Sequence, residues 1–348
     1  MNPESLLAEL VAIPGPPGQE GAVREALTRH VKAMGLRVST DAKGNLIVSL
    51  LRGSGGVGRI VVTAHMDEIA MIVRAVRGDG TLLVGALGGL FPWKLGEGPV
   101  RIMATSGAIQ GVLSFGSIHT VEPGSTVRQA ERSGLDWDMT EVLTGRSAAE
   151  LAAAGVRPGT RVVVDPSRRS ITKLGPLVAS YFLDDRADLV SWLLALDALK
   201  ERSLDVVFVA TAAEEVGGEG ALFMLQQTRP DICIALELGP DVGDAPVNLT
   251  DQPTVWVNDS YSAMMAEDVD LLAALGHELK IDLQFQALSR GGSDASCAAS
   301  HGLCGRPITL GLPMANSHGY EVMHPGAMAE LARLTVALIE RLCDSASK

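Results

Sequence analysis

RIVVTAHMDEIA, residues 59–70, is the stretch that decides the architecture. Its first six residues are nearly all apolar and rich in β-branched side chains, which predicts a strand covered on both faces. The run stops at His65 and Asp67. In open α/β sheets, ligands collect beyond the carboxyl ends of the strands, so a buried strand ending on an imidazole and a carboxylate marks a candidate site. His65 can ligate a metal through a neutral ring nitrogen while Asp67 holds the other ring nitrogen. A solvated His and Asp in a turn is the competing reading of this motif by itself.

Working outward, residues 4–12 and 19–34 read as helices. In the second, Ala22, Val23, Leu27, Val31 and Met34 recur at roughly helical spacing, and the Pro/Gly-rich IPGPPGQEG between the two is a breaker. Asn45–Leu51 reads as another strand. From about Ala70 to Leu174 the pattern changes to short apolar segments separated by glycine turns (MIVRAV, TLLVGAL, VRIMAT, IQGVLSF, RVVVDP), with a short helix near Ala148–Ala154. That is the signature of a small all-β module, here a barrel. After Leu174 strands alternate again with helices: LVASYF, DVVFVAT, ICIALEL, PTVWV, LQFQAL and RPITLGL, against helices at 186–200, 218–227, 266–277 and 326–343. This predicts an α/β fold, a mostly parallel mixed sheet sandwiched by helices. The barrel (residues 70–174) is inserted into a discontinuous domain made of residues 1–69 and 175–348.

The chain has 348 residues, an apolar content of 47%, and 41 acidic against 29 basic residues for a net charge of −12. An acidic chain does not fit nucleic acid or an anionic membrane surface as partner. With Phe 6, Trp 4 and Tyr 3, aromatic stacking platforms are not the theme either. No apolar run reaches the roughly 18–20 residues of a membrane helix, and the N-terminus lacks a basic segment that would mark a signal peptide. Cys233, Cys297, Cys304 and Cys343 show no CxxC spacing, so reduced thiols in the cytoplasm are expected.

Four further strand ends carry acids or histidines. SYFLDDRAD places Asp184 and Asp185 after an apolar run, where adjacent acids also serve as helix N-caps. DVVFVATAAEEVGGEGA places Glu214 and Glu215 just past a buried strand, and two adjacent carboxylates repel unless a cation or proton separates them. One can bind a metal while the other acts as general base. ICIALELGP puts Glu237 near the end of an apolar strand, where an unpartnered carboxylate is costly. GLPMANSHGYEVMH offers His318 or His324 after RPITLGL. Two histidines and three or four carboxylates at strand ends make the ligand set of a two-metal site, and mixed N/O donors suit Zn²⁺, Co²⁺ or Mn²⁺ rather than Ca²⁺. GGSDAS, residues 291–296, is a glycine loop before a helix, either approaching a ligand or capping with Asp294.

The ordered set HMDEIA, LDDRAD, AAEEVGGEGA, ALELG, GGSDA and NSHGYE resembles the tetrahedral metallo-aminopeptidase family, which includes the glutamyl aminopeptidases and proteins once called cellulase M. The resemblance spans nearly the whole chain. It implies a two-metal α/β domain with a β-barrel dimerisation domain inserted in it, dimers assembled into a dodecamer with interior active sites, and action on peptides with a free N-terminus. Carried onto this chain, His65 ligates one metal, Asp184 bridges both, Glu237 completes the first site, and Glu215 with His318 binds the second. Glu214 is the general base and Asp67 orients His65. A water bridging the metals gives up its proton to Glu214, which delivers it to the leaving amine. The chain departs from the family at Ala70 and Asp188, where glycine is common, at Glu237, where Asp is common, and at MANS before His318, where an Arg-aromatic pattern is usual. Competing readings are another two-metal amidohydrolase (a carboxypeptidase or deacylase), a glycoside hydrolase, which needs two carboxylates and no metal, and a non-catalytic peptide-binding scaffold.

Overall fold

The computed structural model describes residues 1–51 and 59–345. Four parallel strands form its centre, side by side in the order Val206–Thr211, Ile60–His65, Ile232–Pro240 and Arg306–Ala315. Every residue of the first two is buried, as expected of apolar runs in a sheet covered on both faces. Antiparallel strands extend the flanks. Leu46–Ser49 and Ser39–Thr40 lie on one side, and Tyr320–Met323, Leu177–Tyr181 and Thr172–Leu174 on the other. Thr254–Asn258 pairs with Arg306–Ala315 and carries Gln284–Ala287 as its parallel neighbour. The 11-stranded sheet is therefore mixed, with its longest parallel run at the centre.

Successive strand residues face opposite ways, and two apolar layers result. Val62 joins the larger core, beneath the helix Leu183–Leu199, while Val61 joins a second core under the helices Glu219–Thr228 and Asp294–Ser300. Trp192, fully buried on the first of these helices, donates its indole N–H to the Val62 carbonyl (3.3 Å) and meets Phe208 edge-on at 5.5 Å. The helices Pro3–Val11 and Ala327–Ser345 lie beside it.

Between Ala70 and Val164 six strands close into a barrel in the order Ala70–Val76, Leu82–Leu87, Glu141–Leu143, Gly107–Ser114, Gly98–Ala104 and Arg161–Val164. Met71, Val84, Val100, Ile102 and Val162 fill its interior. The expected short helix is present at Ala148–Ala153, closed by a capping box between Ser147 and Glu150. A further helix, Thr126–Ser133, has no buried residue, which is why no apolar periodicity announced it. Thr172–Leu174 is a strand of the large sheet, not of the barrel, because a turn at Gly175 (φ 61°) folds it back onto Leu177–Tyr181. Where the chain passes into the barrel and out again, the fully buried Glu68 carboxylate pairs with the guanidinium groups of Arg169 and Arg186. No helix among the described residues is long and apolar enough to cross a membrane, and no disulfide joins the cysteines described.

Candidate metal centre

The parallel strands run out at one edge of the sheet, and the singled-out side chains meet there. His65 ends its strand with Nε2 3.1 Å from Asp184 Oδ1. Its Nδ1 lies 3.1 Å from the Asp67 carbonyl oxygen and 3.5 Å from Asp67 Oδ1. Hydrogen bonding at Nδ1 leaves Nε2 as the free donor. The Asp67 carboxylate also holds the turn opposite, where Oδ1 accepts from the Glu214 amide (2.9 Å) and Oδ2 from the Glu215 amide (3.1 Å). Asp184 sits at the start of Leu183–Leu199, where Asp184 and Asp185 are not yet helical, and the peptide between them is cis.

On the other side His318 occupies a left-handed conformation (φ 57°) after the strand Arg306–Ala315. Its Nδ1 is 2.6 Å from the carbonyl of Gly89, a residue of the barrel region, so Nε2 faces inward, 3.5 Å from Asp184 Oδ2 and 3.7 Å from Glu215 Oε2. Glu237 stands within its strand opposite Gly311 and accepts the Leu238 amide at 2.9 Å. The donor atoms form two groups, each within 4.8 Å of one another: His65, Asp184, Asp185 and Glu237 in one, Asp184, Glu215 and His318 in the other. Asp184 belongs to both. His324 belongs to neither; its Nδ1 accepts from the Gly326 amide at 3.2 Å.

Three acids to which the sequence motifs gave no role also serve the site. Asp185 joins the first group and accepts the His65 amide through Oδ2 at 2.6 Å, while its Oδ1 has no hydrogen-bond partner. Glu321 takes the amides of both Asp184 and His318 at 3.0 Å, so one carboxylate sets the spacing of two donors. The signal for it was a lone acid in YEVM, three residues past His318. Asp188, which stands where the family commonly has glycine, is fully buried next to the Asp185 carboxyl.

The electrostatics call for positive charge. Burial pushes the Glu214, Glu237 and Asp185 carboxyls well above the ordinary range, Glu215 to about 7, and Asp188 and Glu321 to about 8. Burial by itself would lower the imidazoles. The carboxylates outweigh it, Asp185 and Asp184 raising His65 well above its usual value and Glu215 and Asp184 raising His318 to about 11. Burial likewise opposes ionisation of Asp184, yet the two imidazoles hold it below the ordinary range. So many buried acids around two imidazoles are stable only with protons or cations among them. The His/Asp/Glu donors and the partnerless oxygen of Asp185 fit a divalent transition metal.

These groups open into a cavity of about 800 Å³. Phe91, Trp93 and Lys94 of the barrel region line one part, and Trp256, Tyr261 and Arg290 another. The site is thus built from both parts of the chain.

Known proteins resemble this chain along most of its length. The lysyl aminopeptidase of Pyrococcus furiosus is 27% identical over 97% of this chain and 96% of its own. The glutamyl aminopeptidase of Lactococcus lactis subsp. cremoris is 26% identical over 83% of this chain and 82% of its own. The structure of the Pyrococcus horikoshii TET1 peptidase, which can assemble into a tetrahedron or a large octahedral shell, superposes with a TM-score of 0.84 at 25% identity, covering 97% of this chain and 99% of that one. Residues 44–334 match the profile of the M42 glutamyl aminopeptidases, and the chain belongs to that family of peptidases.

Proposed function

We propose that the protein is a metal-dependent aminopeptidase that removes N-terminal residues from peptides, with two divalent cations (Zn²⁺, Co²⁺ or Mn²⁺) per subunit. The observation that carries this reading is the sharing of Asp184 between two donor groups that otherwise differ, His65 with Glu237 and Glu215 with His318. Cations held there lower the pKa of water and polarise the scissile carbonyl. Glu214 lines the same cavity without joining either donor group. Its carboxylate takes a proton from the attacking water and passes it to the leaving amine. Asp67 orients His65 and fixes the turn that carries Glu214 and Glu215.

Apart from the acids beside the donors, the charged residues lining the cavity are Lys94 and Arg290. Acidic or apolar N-terminal side chains should therefore be accepted ahead of lysine. A panel of aminoacyl-p-nitroanilides, run with chelator and again after restoring each metal, tests the whole reading. Activity should vanish with chelator and return with one of the metals. Cleavage of N-blocked peptides instead would point to a deacylase or endo-acting relative of the reaction.

The barrel, whose strands run from Ala70 to Val164, is read as an inserted dimerisation domain, and the assembly as a tetrahedral dodecamer working in the cytoplasm. The tetrahedral assembly of the Pyrococcus horikoshii TET1 peptidase supports the assembly part of this reading. Light scattering should give about twelve times the 36.5 kDa chain mass; a stable monomer removes the assembly claim.

A further inference from the structure

We infer that Glu20, in the N-terminal PPGQEG segment, is a positioning residue for the general base; the inference rests on the assignment of that role to Glu214. Parallel pairing between the strands Val206–Thr211 and Ile60–His65 ends at Thr211 and His65. The next four backbone amides are each taken by a side chain from elsewhere in the chain. The Ala212 amide donates to Asn45 Oδ1 (2.9 Å), Ala213 to Glu20 Oε1 (3.2 Å), Glu214 to Asp67 Oδ1 (2.9 Å) and Glu215 to Asp67 Oδ2 (3.1 Å).

The link that Glu20 holds is the one under conformational load. Ala213 has φ 56°, the left-handed region that a residue with a Cβ avoids, and such a conformation persists where its surroundings over-determine it. Glu20 is only 4% exposed, and the same Oε1 takes the Gly18 amide at 2.6 Å, so the carboxylate is itself fixed. Ala213 immediately precedes Glu214, and rotation about its φ and ψ would swing the base relative to the donor atoms. Glu20 touches neither donor group nor the lined cavity; its influence passes through the backbone.

The test compares Glu20→Ala, Glu20→Gln and Glu20→Asp in the full-length, metal-loaded enzyme. Gln keeps an oxygen that can accept the Ala213 amide and should stay within about threefold of the parent kcat. Ala removes the acceptor and should lose roughly tenfold to a hundredfold in kcat, the scale on which a misplacement of about 1 Å acts, with KM and bound metal unchanged. Asp, one methylene shorter, should fall between them and serves as the comparison with Gln if the Ala variant does not fold. Hydrogen exchange across residues 212–216 gives a readout independent of turnover: Ala and Asp should lose protection there and Gln should keep it. Equal kcat and equal protection in all the folded variants would overturn the proposal, as would a loss shared by Gln. A parent enzyme inactive on every peptide would defeat the aminopeptidase reading, while the exchange experiment would still decide whether Glu20 holds the turn.

Discussion

Glu214 and Glu215 are neighbours in sequence, and they point in different directions. Glu215 Oε2 lies 3.7 Å from His318 Nε2 within a donor group, whereas Glu214 lines the cavity outside both groups. On the proposed assignment, replacing Glu214 by Gln removes the proton acceptor and leaves both donor groups in place. Turnover of the best p-nitroanilide should fall by about 10²–10⁴-fold, the usual range for a lost general base, while metal content stays at the parent value by elemental analysis. A variant retaining most of its turnover would send the role to another group, and loss of metal would make Glu214 a ligand. At this scale the candidate site was legible where an acid or imidazole interrupts or closely follows a buried apolar run, as at His65, Glu214 and Glu237. It was silent where a residue acts through a distant partner. Glu321 reaches the Asp184 amide across 137 positions and Glu20 the Ala213 amide across 193, and neither carries a local pattern that declares the contact.

Among the elements, the barrel poses the problem of how an insertion is held in register with the sheet that bears it. Glu68 precedes its first strand and Arg169 follows its last. With Arg186 from the helix Leu183–Leu199 they form a buried ion cluster whose side chains are all fully shielded. Arg169 also donates to the Val164 and Val11 carbonyls and lies over the Phe182 ring at 4.4 Å. Glu68→Ala would leave two buried guanidinium groups without their shared carboxylate, at a cost of about 3–5 kcal/mol, readable as a lower urea midpoint. A change below about 1 kcal/mol would mean that other carbonyls already satisfy both arginines. The composite nature of the chain was readable because hydropathy switched period at Ala70 and again after Leu174. The strand Thr172–Leu174 escaped notice because all three residues are exposed, so they leave no apolar trace of the edge they pair with. Glu68, in the middle of HMDEIA, received no role from the motif; it pairs with Arg169 and Arg186 and rivets the two parts together.

Many buried carboxylates and two imidazoles gather at one edge of the sheet, which would couple metal binding to stability and to pH. In the metal-free protein Glu215 is raised to about 7, Asp188 and Glu321 to about 8, and His318 to about 11. Unfolded carboxyls titrate near about 4 and an unfolded imidazole near about 6.5. From about pH 4 to 8 the folded metal-free chain therefore holds protons that the unfolded chain has released, and its stability falls as pH rises, by about 1.4 kcal/mol per pH unit for each extra proton held. Asp184, shifted the other way, acts only below its ordinary value of 3.8, outside this window. Divalent cations held by these donors would replace those protons, so their stabilisation should grow with pH. The melting temperature of chelator-treated protein should drop steadily between pH 5 and pH 8, while that of protein reloaded with metal stays level or rises, and the gap between the curves should widen. Curves that run parallel would mean that binding displaces no protons from these carboxylates and imidazoles. The metal would then have to sit elsewhere, because ligands so deeply buried among like charges cannot take up a cation without giving up the protons that stood in its place.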